Sequence, residues 1–138
     1  MEKLEYIPGD LVKIEYGEAA GKIGFVTNAI LKRKGSYGLF VFIGKEFQGS
    51  SKDDWISTYN DEVSPIPLTP EILEKNGWKE DKGDYIDDSH HLHLCGKYDG
   101  YSVYKVVNDN IVWLTDVRNV SDLQHLLFGL GINHEMEV

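Results

Sequence analysis

Apolar and polar residues alternate with a period of two through much of the first half of the chain. Val12, Ile14 and Tyr16 are separated by Lys13 and Glu15, an alternation typical of a strand with one buried face. Similar short runs predict five strands in this half, at 11–16, 23–30, 37–43, 55–57 and 63–66.

Glycines and aromatic residues define how these strands connect. Gly17 and Gly21 bracket a turn between the first two strands, where the backbone needs positive φ. The stretch 37–43 is apolar on both faces, as in a central strand covered on two sides. Five short strands without a helix predict a small closed barrel.

The second half begins after the prolines at 65 and 67, and two helices are expected in it. Thr69 and Pro70 form a helix start, Asn76 and Gly77 form its end, and Trp78 anchors it. The leucines at 123, 126, 127 and 130 form the apolar stripe of a second helix. That helix starts either at Asn119 or with a capping box of Ser121 and Gln124.

Between these helices the pattern predicts a short antiparallel sheet. Strands are expected at 85–86, 91–95, 101–106 and 111–115, with a charged turn at 79–84 before them. The last two strands form a hairpin around Asn108–Asn110. The fold class is therefore a β-rich α+β protein: a five-stranded barrel over residues 1–66, then a small α+β domain over 67–138 with two short helices.

The first half resembles a known family. The motifs Gly9-Asp10-x-Val12 and Gly21-Lys22-x-Gly24-x-Val26 are similar to the KOW motif of SH3-like barrels in ribosomal and transcription-elongation proteins. The segment from Trp55 to Ile66 resembles the closing strands of such barrels. This resemblance implies an SH3-like fold, and the family often binds RNA or polymerase through its loops.

The second half resembles a pattern found in uncharacterised proteins of gut bacteria and their phages. Pro67-Leu68-Thr69 corresponds to its early helix start, and Leu123-Gln124-His125-Leu126 to its late helix. No activity is assigned to that family, so the resemblance adds no function.

Composition narrows the classes of partner. The 138 residues carry 14 basic and 23 acidic side chains, a net charge of −9, which disfavours a phosphate backbone as partner. Cys95 is the only cysteine, which excludes an intrachain disulfide and favours a reducing compartment. With neither a signal peptide nor a membrane-spanning run in the sequence, we expect a cytoplasmic protein without membrane contact.

Two clusters offer other kinds of chemistry. Lys32, Arg33 and Lys34 form the one basic cluster, and RNA or DNA binding through the barrel loops is the alternative function. His91, His93 and Cys95 would share one face of a strand and are weak candidates for zinc ligands. The alternative is a strand with its two leucines facing inward, and we expect no metal and no cofactor.

The favoured function is non-enzymatic protein–protein interaction with an unidentified protein partner. The aromatic residues Tyr37, Phe40 and Phe42 of the barrel are the predicted contact surface. Cys95 has neither an elbow motif nor an oxyanion hole in the sequence, so a nucleophilic enzyme is not expected.

Overall fold

The structure is a computed structural model that describes residues 5–33, 36–44 and 52–138. Its first half contains five strands: β1 (Leu11–Ile14), β2 (Ile23–Arg33), β3 (Ser36–Phe42), β4 (Trp55–Tyr59) and β5 (Val63–Pro65). Its second half contains α1 (Pro70–Lys75), β6 (Lys79–Asp81), β7 (Asp84–Asp87), β8 (Leu92–Lys97), β9 (Gly100–Val107), β10 (Asn110–Val117) and α2 (Val120–Gly129).

The first five strands form one antiparallel sheet in the order β4-β3-β2-β1-β5. The edge strands β4 and β5 do not pair with each other in the described part of the chain, so the predicted closed barrel is not observed. The 3₁₀ turn Asn60–Glu62 joins them directly. Because three residues and their links span at most about 14 Å, the sheet must curl until its two edges approach at that turn.

Apolar side chains from alternate positions fill the concave side of this sheet. Gly17 and Gly21 have φ of 87° and 89°, as the predicted turn between β1 and β2 requires. The buried residues of this core are Tyr6, Val12, Ile14, Ala19, Val26, Tyr37, Leu39, Val41 and Val63.

The second sheet is also antiparallel and has five strands in the order β10-β9-β8-β7-β6. The predicted hairpin is present as β9 and β10. The turn predicted at 79–84 is shorter than expected: only Lys82 and Gly83 turn the chain, both with positive φ, and the residues on either side pair as β6 and β7. All three β6 side chains are exposed, so the stretch carries no apolar alternation that would predict a strand.

Both helices begin as local chemistry dictates. The Thr69 side chain accepts a hydrogen bond from Ile72 N at 3.3 Å, which confirms the predicted cap of α1. The cap of α2 is Asn119, whose N–H donates to Asp122 Oδ2 at 3.2 Å. The alternative start at Ser121 is therefore wrong. No helix in the described ranges is long and apolar enough to cross a membrane.

The helices cover one face of the second sheet. Trp78 is buried beside them, as expected, and the segment joining the two halves pairs with the start of α2 through a hydrogen bond from Val120 N to Ile66 O at 2.8 Å. The buried residues of this core are Ile66, Leu68, Leu73, Trp78, Tyr85, Leu92, Leu94, Tyr101, Val103, Val117, Val120, Leu123 and Leu127.

Candidate functional site

The three aromatic residues predicted for partner contact lie in different environments. Tyr37 is buried in the core, and its hydroxyl accepts a backbone hydrogen bond at 2.5 Å. Phe42 is buried against two aromatic rings, at centroid distances of 5.5 and 5.0 Å. Phe40 is 39% exposed. Only Phe40 is therefore presented on the surface, and its contact with a partner stays a prediction.

The basic cluster is described only in part. Lys32 is exposed on β2 and lines a recess together with Asp61 and Glu62. The two carboxylates that line the same recess oppose the approach of a phosphate. Lys34 and the side chain of Arg33 lie outside the described residues, so nucleic-acid binding by this cluster stays a prediction.

The predicted zinc ligands do not share one face. His93 and Cys95 lie on the same face of β8, while Leu92 and Leu94 point into the core. His91 precedes the strand, in a turn with φ of 56°. Across the residues that the structure describes, no three His, Cys, Asp or Glu side chains are grouped as metal ligands would be.

The environment of Cys95 does not activate its thiol. Burial raises the pKa of Cys95, and the negative charge of Asp84 and a hydrogen bond to its carboxylate raise it further. A raised pKa lowers the thiolate fraction near neutral pH, and the thiolate is the nucleophile.

A contact between a buried carboxylate and a partly exposed imidazole joins the two halves of the chain. Asp10 is fully buried, and its Oδ2 lies 2.5 Å from Nε2 of His125 on α2. The same oxygen accepts a hydrogen bond from Ile7 N at 2.9 Å. The second carboxylate oxygen, Oδ1, is buried with no hydrogen-bond partner among the described groups. Because a buried carboxylate needs its partners, this pair fixes α2 against the start of β1.

Gln124 strengthens the same junction. Its side chain is fully buried, accepts a hydrogen bond from Leu11 N at 2.9 Å and donates to Gly9 O at 2.8 Å. It also donates to His134 O at 2.9 Å, so the C-terminal segment is held at the same point. Sequence reasoning missed Asp10, Gln124 and His125 as one cluster. The available signal was a pair of polar residues, Gln124 and His125, within a leucine-rich helix.

The second sheet presents an apolar surface on the side opposite the helices. We define the outer face by six of the side chains that point away from the core there: Ile86, His93, Tyr104, Val106, Ile111 and Trp113. Cys95, Ser102 and Asp116 lie on the same side of the sheet. The register places four of them in one row across the sheet, Ile86, His93, Tyr104 and Trp113, and pairs Val106 with Ile111. On β10, Ile111 is 67% exposed and Trp113 is 57% exposed.

A polar network holds Trp113 in place on this face. Asp116 Oδ1 accepts hydrogen bonds from Trp113 Nε1 at 3.2 Å and from Ser102 Oγ at 2.8 Å, and Oδ2 accepts one from Lys97 Nζ at 2.6 Å. These hydrogen bonds lower the pKa of the Asp116 carboxyl to about 2, and the bond from Lys97 has the largest effect. The indole is thus exposed and anchored at its polar end, as in residues that contribute most to protein interfaces.

A recess lies at the end of β10, next to this network. It has a volume of about 410 Å³ and is lined by Thr115, Asp116, Val117, Asp122, His125 and Leu126. Two carboxylates, those of Asp116 and Asp122, thus line one recess. The Asp116 carboxylate holds Lys97, and the Asp122 carboxylate accepts the N–H of Asn119 at the start of α2.

The chain matches no protein-family model, no curated protein and no solved structure.

Proposed function

We propose that this chain is a non-enzymatic protein-binding module whose contact surface is the outer face of the second sheet. The observation that carries the proposal is the exposure of Ile111 and Trp113 side by side on β10. Contiguous apolar side chains on a surface mark interaction sites, because their burial by a partner is favourable.

The first half contributes the scaffold in this proposal. We propose that it is an SH3-like unit of the KOW type, supported by its strand order and by the three-residue turn joining its edge strands. Its junction with α2, through Asp10 and Gln124, positions the second sheet. Phe40 on β3 is a further candidate contact.

Site-specific photo-crosslinking in cells tests the proposed surface. A benzophenone amino acid in place of Ile111 should give discrete adducts with a protein partner, because this side chain points to solvent on the outer face. Leu31, 57% exposed on β2 of the other sheet, is the matched control position. We expect the adducts from position 111 only, and we expect Trp113→Ser to remove them.

The result also separates the alternative function. Crosslinking from position 32 rather than 111 to a species that nuclease digests would assign the chain to nucleic-acid binding. Identical adduct patterns from positions 111 and 31 would contradict a specific surface on the second sheet.

A further inference from the structure

We propose that β10 accepts an extended peptide as an added strand, and that this peptide has apolar residues at alternate positions and cations at its ends. The inference rests on the protein-binding function proposed above and names its partner. Strand addition supplies affinity through backbone hydrogen bonds and specificity through alternate side chains.

β10 is the longest edge among the strands of the two sheets. It has eight residues, whereas the other edge strands, β4, β5 and β6, have five, three and three. An edge strand exposes a row of backbone N–H and C=O groups that another chain can pair with, and proteins usually protect such edges with charges or proline. Asn110–Leu114 contains neither. The register of β10 with β9 shifts in the middle of the strand, between Trp113 and Thr115, so the regular part of the edge that includes Ile111 and Trp113 is Asn110–Trp113.

Side chains of β10 are available on both sides of the sheet. Ile111 and Trp113 point to the outer face, and Val112, which points to the other side, is 47% exposed. An added strand would place its own side chains alternately beside these two surfaces. Alternate apolar residues in the peptide would bury Ile111 and Trp113.

The charges at the two ends of β10 favour a cationic guest. Asp109 is exposed in the turn before the strand. Asp116 and Asp122 line the recess at its far end, where Asp116 already holds Lys97 and Asp122 accepts the N–H groups of Arg118 and Asn119, so a cation of the guest would bind there in addition to these contacts. Asp116 lies seven positions after Asp109 along the chain, a span of at most about 24 Å. A peptide of about seven residues with a cation at each end would reach both carboxylate positions.

The cations near this region are already engaged. Lys97 pairs with Asp116 at 2.6 Å, and Arg118 pairs with Asp99 at 3.0 Å. Lys105 donates to the backbone oxygen of His90 at 3.1 Å. A second copy of the chain would bring another charge of −9 to the same surface. Repulsion between like charges therefore disfavours self-pairing of β10 and favours a basic partner.

Alternate N-methylation of a peptide probe tests strand addition directly. The probe is the capped peptide Lys-Val-Thr-Val-Thr-Val-Lys with a fluorescent label, and anisotropy measures its binding to the full chain. An added strand uses every second N–H for pairing, so N-methyl groups on one alternate set should weaken binding by at least about tenfold. N-methyl groups on the other alternate set of backbone nitrogens should change the affinity by less than about twofold.

Matched variants and probes complete the test. Ile111→Ser and Trp113→Ser should each weaken probe binding, and Leu31→Ser on the other sheet should not. Replacing the two lysines of the probe by glutamates should remove binding, because the carboxylates at both ends of β10 then repel it. Circular dichroism of each variant checks that the fold is retained.

Each contrary result has a distinct meaning. If both N-methylated probes bind equally well and Ile111→Ser still weakens probe binding, strand addition is overturned but the protein-binding surface stands. Unchanged binding in both Ile111→Ser and Trp113→Ser contradicts the surface as well. If the unmodified probe does not bind at about 1 mM, the weakest affinity considered, the cationic peptide is not the occupant. A dimer of the free chain in sedimentation would likewise overturn the cationic peptide as the occupant.

Discussion

At the scale of single residues, the junction between the two halves depends on Asp10. Its carboxylate is fully buried, and Oδ2 accepts a hydrogen bond from Ile7 N and contacts Nε2 of His125. Loss of either partner would leave more of a buried charge without compensation, which is costly in a protein interior.

We expect His125→Ala to lower the free energy of unfolding by about 2 kcal/mol, because the buried Asp10 carboxylate loses its imidazole partner. Urea unfolding at pH 7 measures the change. His90→Ala is the matched control, since His90 pairs with Asp87 at 2.8 Å on a more exposed part of the surface and should cost less than about 1 kcal/mol. An equal decrease in the free energy of unfolding in the two variants would show that the contact between Asp10 and His125 stabilises the fold no more than an exposed pair does.

Cys95 gives a second prediction at this scale. Because burial and Asp84 raise its pKa, alkylation by iodoacetamide at pH 8 should be slower than for free cysteine. Asp84→Asn should accelerate the reaction, since it removes the second cause of the raised pKa. The rates of the two proteins should converge in urea, and a difference that persists there would contradict a folded-state cause.

Local sequence chemistry predicted some of these residues well and others not at all. The inward direction of Leu92 and Leu94 followed from their alternation with His93 and Cys95, and the structure confirms it. Asp10 and His125 are 115 positions apart. Periodicity describes neighbours within one element, so it could not bring these two side chains together.

At the scale of elements, β10 combines an open edge with an anchored tryptophan. Asp116 connects Trp113 to Ser102 and Lys97 on neighbouring strands. These contacts hold the indole on the outer face while its ring stays exposed.

The pH dependence of this anchor has a definite sign. The pKa of Asp116 falls from its ordinary value of 3.8 to about 2 on folding. Its contribution to stability is therefore present above about pH 4 and is lost as the pH falls towards 2. We expect the difference in unfolding free energy between the wild type and Asp116→Asn, measured in urea, to be constant above pH 4 and to shrink below it. A difference that grows on acidification would contradict the assignment.

Element boundaries were predictable where caps and turns are encoded locally. Thr69 at the start of α1 and Gly77 after its end, with φ of 88°, behave as their residue types require. β6 was missed because its three side chains are all exposed and charged. Pairing with β7, a tertiary contact, makes that stretch a strand and overrides its weak propensity.

At the scale of the whole molecule, two five-stranded sheets share a chain with a charge of −9. The sequence predicted both sheets, but closure of the first depends on pairing between β4 and β5, which alternation within each strand does not encode. The exposed apolar residues of the second sheet were likewise not distinguishable from core residues. Alternation identifies two faces and leaves open which of them a neighbour covers.

The net charge gives a prediction about nucleic acid. We expect no binding of a labelled single-stranded RNA at about 150 mM salt in fluorescence anisotropy, because a charge of −9 repels the phosphate backbone. Replacing Lys32, Arg33 and Lys34 by alanine should leave this result unchanged. Binding that falls steeply with salt and disappears in the triple variant would instead support the alternative function.

Amide hydrogen exchange over Asn110–Leu114 tests the central claim most directly, because it reports whether the β10 edge is open. In the free chain, the outward amides of this segment should exchange much faster than those of the central strand β9, and equally fast at low and high protein concentration. Saturation with the cationic probe peptide should slow them. Slow exchange in the free chain, or exchange that the bound peptide leaves unchanged, would contradict an open edge that receives a partner strand.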